Sequence, residues 1–142
     1  MVFRIVIDTN VLVGALLQQT GTNRRVIRAC LEGKLSPLVG QTLFLEYEDV
    51  LGRASLFQRS PLSAGERWEL LAALLAVSEW VQVYYSWRPN LPDEADNHLV
   101  ELAVAGGATM IVTNNIRDFQ RAELRFPAIR ILSPSELLKE LP

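Results

Sequence analysis

Apolar residues fall in short blocks separated by polar and glycine-containing breaks, and the period within the blocks changes along the chain. Val2 to Ile7 is apolar except at Arg4, the pattern of a mostly buried strand. Val11 to Gln18 reads as a helix ending near Thr20-Gly21-Thr22. A second helix is expected from a cap at Thr22 or Asn23 to about Glu32, with Gly33 as its stop. Leu35–Val39 is a strand candidate, and Thr42 to about Leu51 a helix with Gly52 near its end. Ser63-Ala64-Gly65-Glu66 matches a capping box, in which serine and glutamate satisfy each other's free amides, and predicts a helix to about Ser78. Trp80–Tyr85 is rich in strand formers and reads as a strand or connector; Trp87 to Pro92 is a loop broken by prolines. Asp93–Ala105 is predicted helical, ended by Gly106-Gly107. Met110–Val112 and Ile129–Leu132 read as strands, and Ser133 caps a last helix through Leu138. Strands alternating with helices predict an α/β fold, a parallel sheet with helices on both faces.

With 142 residues, 49% of them hydrophobic, one domain over 1–142 with a real core is expected. A net charge of −2 gives no general pull towards nucleic acid or anionic lipid, so any such contact needs local clusters. The basic residues are almost all arginine, with only Lys34 and Lys139 as lysines. The lone Cys30 excludes an intrachain disulfide and fits a reducing compartment. No signal-peptide pattern opens the chain and no apolar run spans a bilayer, so a soluble, cytoplasmic protein with no membrane partner is expected.

The candidate chemistry lies in the acids. Asp8 closes the first strand, Glu46 and Asp96 fall among apolar residues of predicted helices, and Asp118 follows the strand at Met110–Val112. Carboxylates are costly to bury unpaired. With one His and one Cys in the chain, a hard divalent cation is the natural compensator. In parallel sheets, sites gather outside the carboxyl ends of the strands, where both Asp8 and the segment Thr113–Asp118 are expected.

Each acid also has a plain structural reading. Asp8 or Asn10 can cap the helix that follows. On the helix through Glu46, Leu43, Phe44, Tyr47, Val50 and Leu51 form the apolar stripe; Glu46 and Glu48 flank its two edges, and geometry alone does not choose between them. Asp93 and Asp96 can form a capping pair, but Asp96 shares the apolar face of Leu99, Val100 and Ala103. Asp118 can cap a segment Phe119–Glu123. His98 reads as an exposed or half-buried helical residue, with Asn97 and Glu101 on a polar face. Trp68, Trp80, Tyr84, Tyr85 and Trp87 read as core aromatics rather than nucleotide-stacking groups.

Taken in order, Ile5-Val6-Ile7-Asp8-Thr9-Asn10-Val11-Leu12-Val13, Leu45–Arg53, Asp93–Ala103 and Ile111–Phe119 resemble the PIN domain family of metal-dependent ribonucleases, and within it the VapC-like toxins of bacterial toxin–antitoxin systems. The resemblance implies a doubly wound three-layer α/β/α sandwich with a central, mainly parallel sheet. It places Asp8, Glu46 and Asp96 on the family's first three acids, and so selects Glu46 over Glu48. At the fourth position many members carry Asp two residues after the Thr. Here Asn115 stands there, a poorer metal ligand, and Asp118 is the nearest carboxylate. The resemblance further implies Mg²⁺ or Mn²⁺ dependence, a homodimer or higher homo-oligomer, and inhibition by an antitoxin.

The function expected is hydrolysis of RNA phosphodiesters, with Asp8, Glu46, Asp96 and Asp118 as catalytic metal ligands and Asp93 bound to the ion through water. Thr9, Asn10, Thr113 and Asn115 are the supporting residues, and Arg24, Arg25, Arg28, Arg117 and Arg121 the candidate RNA contacts. The alternative is a catalytically degenerate PIN domain serving as an RNA- or protein-binding module, which Asn115 keeps open. A receiver domain would want a lysine where none lies between Lys34 and Lys139, and a haloacid-dehalogenase-type phosphatase an acid where Asn10 stands. A flap-type DNA nuclease would need helical elements for which the chain has no room.

Overall fold

The computed structural model describes residues 2–83, 97–120 and 128–141, with the side chains of Asp118 and Gln120 excepted. The elements run β1 (Phe3–Ile7), α1 (Thr9–Leu17), α2 (Thr22–Leu31), β2 (Leu35–Val39), α3 (Gln41–Leu51), a 3-10 turn (Ala54–Phe57), α4 (Ala64–Ala76), β3 (Glu79–Trp80), α5 (Asn97–Gly106), β4 (Met110–Val112), α6 (Ile116–Gln120), β5 (Arg130–Leu132) and α7 (Pro134–Glu140). The five strands form one sheet in the order β3-β2-β1-β4-β5, every neighbouring pair parallel.

The order in which strands are added reverses at β1: β2 and β3 step away on one side, and β4 and β5 on the other. Since crossovers between parallel strands are right-handed, the two series put their helices on opposite faces, which is the doubly wound sandwich expected. On one side α2 packs against α1 and α7; α5 packs on β1, β2 and β4. Coverage of both faces explains why Ile5, Val6 and Ile7 are consecutively buried rather than alternating in and out. Pro37 is tolerated in β2 because β3 pairs only with Leu38 and Val39, leaving Pro37 without a strand partner on that side.

Local signals act where expected. Ser63 and Ser133 each accept the amide three residues on, and Glu66 and Glu136 return the contact, completing two capping boxes. Gly33 and Gly107 adopt left-handed φ of 80° and 69° past the ends of their helices. On α3, Leu43, Tyr47 and Leu51 are buried while Glu48 and Asp49 face solvent.

Some expectations are corrected. The α2 cap is Gly21, not Thr22 or Asn23, because Gly21 takes a left-handed φ of 113° and the helix starts at Thr22. Asp118 lies inside the short helix α6 rather than capping a later segment. β3 ends at Trp80, and Val81 adds only one backbone bond, to Val39. Trp68 and Trp80 are exposed, because α4 turns Trp68 outward and β3 is a two-residue edge strand with both residues open. Tyr84, Tyr85, Trp87 and the loop to Pro92 lie outside the described residues.

The buried Tyr47 hydroxyl donates to the Ile7 carbonyl at 2.6 Å, pinning α3 to the end of β1 one residue before Asp8. Tyr47→Phe is expected to lose about 1–2 kcal/mol, the cost of a buried carbonyl left without this donor. Urea unfolding checks this; an unchanged midpoint would show that the bond contributes nothing.

Candidate active site

β1 delivers Asp8 to the carboxyl edge of the sheet, and β4, its neighbour, delivers Thr113. The ladders continue one residue past the strands: the Asp8 amide donates to Val112 and the Thr113 amide to Leu132, both at 2.9 Å. The two side chains therefore meet where the direction of strand order reverses. The Thr113 hydroxyl donates to Asp8 Oδ2 at 2.8 Å, and the Asn10 amide approaches the same oxygen at 3.3 Å. Asp8 stands at the N-cap of α1 without making a side-chain capping bond, so the plain capping reading does not account for it.

Only 6% of Asp8 is exposed. Burial, the largest influence, pushes its carboxyl above the ordinary range; the Thr113 hydrogen bond opposes this, and the charge of Glu46 pushes the same way as burial. Glu46, on the neighbouring turn of α3 to Tyr47, accepts from the Thr9 hydroxyl and from His98 Nε2, the latter at 2.9 Å. Half-burial raises Glu46, but the hydrogen bonds from His98 and Thr9 together outweigh it and hold the carboxyl below its usual value. The pair is thus asymmetric: Glu46 is held ionised by two donors, and the Asp8 charge is disfavoured beside it.

His98 is the residue the sequence misplaced. It is 7% exposed, and Asn97 and Glu101 beside it are buried too, so α5 presents no polar face there. The reason is coverage: α5 lies on three strands and also touches α3. His98 Nε2 donates to the Glu46 carboxylate, and among the described residues Nδ1 finds no hydrogen-bond partner. A lone histidine on a helix gives no sequence signal for this; the apolar run Leu99–Ala103 around Glu101 was the only hint that the whole turn is buried.

A chain of asparagines braces the rim. The Asn114 amide N–H donates to Asn10 Oδ1 at 3.1 Å, and the Asn114 side chain donates to Asn23 Oδ1 at 3.0 Å and to the Asn10 carbonyl at 3.4 Å. Asn23 reaches this position because Gly14 faces it; a Cβ at Gly14 would lie 2.2 Å from Asn23 Nδ2. Asn115 is exposed, and its backbone amide donates to the Thr113 hydroxyl at 3.0 Å.

The described residues thus bring together Asp8, Glu46, Thr9, Asn10, Thr113 and His98, with Asn115 at the rim. Asp93, Asp96 and Arg121 lie outside the described residues, as does the side chain of Asp118. Arg25, Arg28 and Arg117 are exposed, whereas Arg24 is half-buried and donates Nε to the Ala15 carbonyl at 2.8 Å. Among the described residues, no three His, Cys, Asp or Glu side chains are grouped to hold a metal ion. The chemistry of the site nevertheless suits a hard cation: two carboxylates at the sheet edge, with the charge of the buried Asp8 disfavoured by its surroundings.

The PIN domain family model matches residues 4–117. The chain belongs to the PIN domain family. PIN domains are generally nucleases that use divalent metal ions. No curated protein matches the chain. Among solved structures, a chain of the crystal structure of VapBC2 from Rickettsia felis bound to a DNA fragment from their promoter has a similar fold, with a TM-score of 0.61 and 12% identity over 92% of this chain and 98% of that one. In this PIN domain no helix among the described residues is long and apolar enough to cross a membrane.

The electrostatics give a sign. A carboxyl whose pKa rises on folding stabilises fully below its unfolded value and loses that contribution as pH climbs through the folded value. In chelator at pH 7, Asp8→Asn is therefore expected to be at least as stable as wild type, with wild type gaining on the variant as pH falls to about 4. Urea midpoints at the two pH values check it. A variant clearly weaker at pH 7 would mean that the Asp8 charge is stabilised by the fold.

Proposed function

We propose that this PIN domain is a Mg²⁺- or Mn²⁺-dependent endoribonuclease, the toxin of a type II toxin–antitoxin pair. The observation that carries the reading is the Asp8–Glu46 pair at the reversal point of the sheet, Glu46 held below its usual pKa by its donors and Asp8 raised by burial beside it. Asp8, Glu46, Asp96 and Asp118 would hold the ion, with Asp93 as a further candidate; the ion would supply an activated water and stabilise charge on the phosphate. The protein's own part is orientation. Thr113 and Asn10 fix the Asp8 carboxylate, and Thr9 and His98 fix Glu46 in its ionised form. Asn115, neutral and exposed at the rim, is placed to contact the phosphate rather than to supply charge. Arg25, Arg28 and Arg117, exposed, are the phosphate contacts along the strand, with Arg121; Arg24 instead ties α2 to the Ala15 carbonyl of α1.

The toxin role draws on the VapBC2 likeness in fold, and with it goes an antitoxin partner; self-association is part of the same proposal. A cytoplasmic location goes with that role. The neutral Asn115 favours one other reading, a PIN domain that binds RNA or a protein without cutting.

Purified protein with Mn²⁺ is expected to cleave single-stranded RNA, and Asp8→Asn or Glu46→Gln to lower the rate by at least on the order of 100-fold. Gel analysis of end-labelled RNA reads the result; binding without cleavage in the wild type would favour the non-cutting reading.

His98 gives a separate test. If it orients Glu46 for the ion, His98→Leu should weaken Mn²⁺ binding about 10–100-fold, and His98→Gln, which keeps an N–H donor, should recover part of the loss. Calorimetric titration decides: equal affinity in the leucine variant would remove His98 from the site.

A further inference from the structure

A cavity of about 490 Å³ opens beside the acid pair, between the start of α3 and α5 at the carboxyl ends of β2 and β3. Its size is in the range of small-ligand pockets, about 300–1,000 Å³. Among the described residues its walls include Trp80, Gln41, Thr42, Leu102, Glu101 and His98. His98 belongs to both places: its ring lines the cavity while its Nε2 binds Glu46. The cavity and the candidate active site are therefore adjoining compartments with one side chain between them.

Trp80 is the second unusual feature. It is 57% exposed, on an edge strand too short to cover it, yet Phe44 holds its ring edge-on with centroids 5.5 Å apart. An exposed indole that is braced and borders a cavity is a stacking platform. The chemistry of the walls narrows what it stacks. Leu102 is buried and gives an apolar floor, while Gln41 and Thr42 are exposed and carry amide and hydroxyl groups. No lysine or arginine lines the cavity among the described residues, and the buried Glu101 is acidic, so a phosphate is a poor occupant. A flat, uncharged ring with a hydrogen-bonding edge suits all of these groups.

We propose that this cavity receives one unpaired nucleobase of the RNA strand, stacked on Trp80, from the nucleotide beside the scissile phosphate. The proposal rests on the ribonuclease reading and adds to it a base-binding subsite at Trp80, which a paired base could not enter.

The test uses the Asp8→Asn protein, to prevent cleavage, and fluorescently labelled decaribonucleotides in Mn²⁺. Trp80→Ala on that background is expected to weaken binding by about tenfold or more, and Trp80→Phe to retain most of the affinity, as stacking does. In the Trp80-intact protein, an abasic nucleotide moved along the strand should cost affinity at one position, next to the cleavage site mapped with wild type. Equal binding by Trp80→Ala, or an abasic effect spread evenly over all positions, would overturn the proposal even if wild type cleaves RNA. Loss of self-association in Trp80→Ala at unchanged RNA affinity would overturn it too, and assign Trp80 to a protein contact. Absence of cleavage by wild type is the separate failure of the ribonuclease reading.

Discussion

A carboxylate at the end of a fully buried parallel strand has little water to solvate it, and a second carboxylate nearby makes its charge harder to hold. Asp8 is in that position, with Ile5, Val6 and Ile7 buried before it and Glu46 facing it from α3. Much of the surrounding architecture serves to bring in donors. Tyr47 ties α3 to the Ile7 carbonyl, which keeps Glu46 at the strand end; Thr113 arrives on the adjacent strand; His98 arrives on the helix that crosses to the other face. Hydrogen bonds from His98 and Thr9 hold the Glu46 carboxyl below its usual value, but the Thr113 bond does not bring Asp8 back to its own. The charge still unmatched is what a hard divalent ion would supply.

The doubly wound topology makes this assembly possible. Because strand order reverses at β1, the residues that follow β1 and β4 stand side by side at the carboxyl edge of the sheet. α1 and α2 border it on one side through the Asn10–Asn114–Asn23 bridge, whose closeness depends on Gly14. α5 borders it on the other. The site is thus a property of the fold's reversal point, and membership of the PIN domain family follows from the sequence match over residues 4–117 rather than from the topology alone.

Legibility in the sequence followed the range of the interactions. Capping boxes at Ser63 and Ser133 and the glycine stops at Gly33 and Gly107 are set within four residues, and their pattern is readable directly. The placement of Asp8 at a strand end was readable from the apolar run before it, whereas Glu46 was singled out by the family motif where helical geometry left Glu48 equal. His98 was not readable. Its placement relies on α5 being covered on several sides, and a helix buried all round defeats any argument from polar and apolar faces. Trp80 failed in the opposite sense: a strand-forming aromatic predicts a covered position, but β3 is two residues long and sits at the sheet edge. Both errors concern what lies across from a residue, which only the tertiary arrangement decides.

The central claim is that Asp8 and Glu46 share a hard divalent cation. Crystals grown with Mn²⁺ and measured near the manganese absorption edge test it most directly. The account predicts an anomalous peak bound by oxygens of both Asp8 and Glu46, and its loss in Asp8→Asn. A saturating Mn²⁺ soak with no peak there, or a peak that leaves either carboxylate unligated, would contradict it.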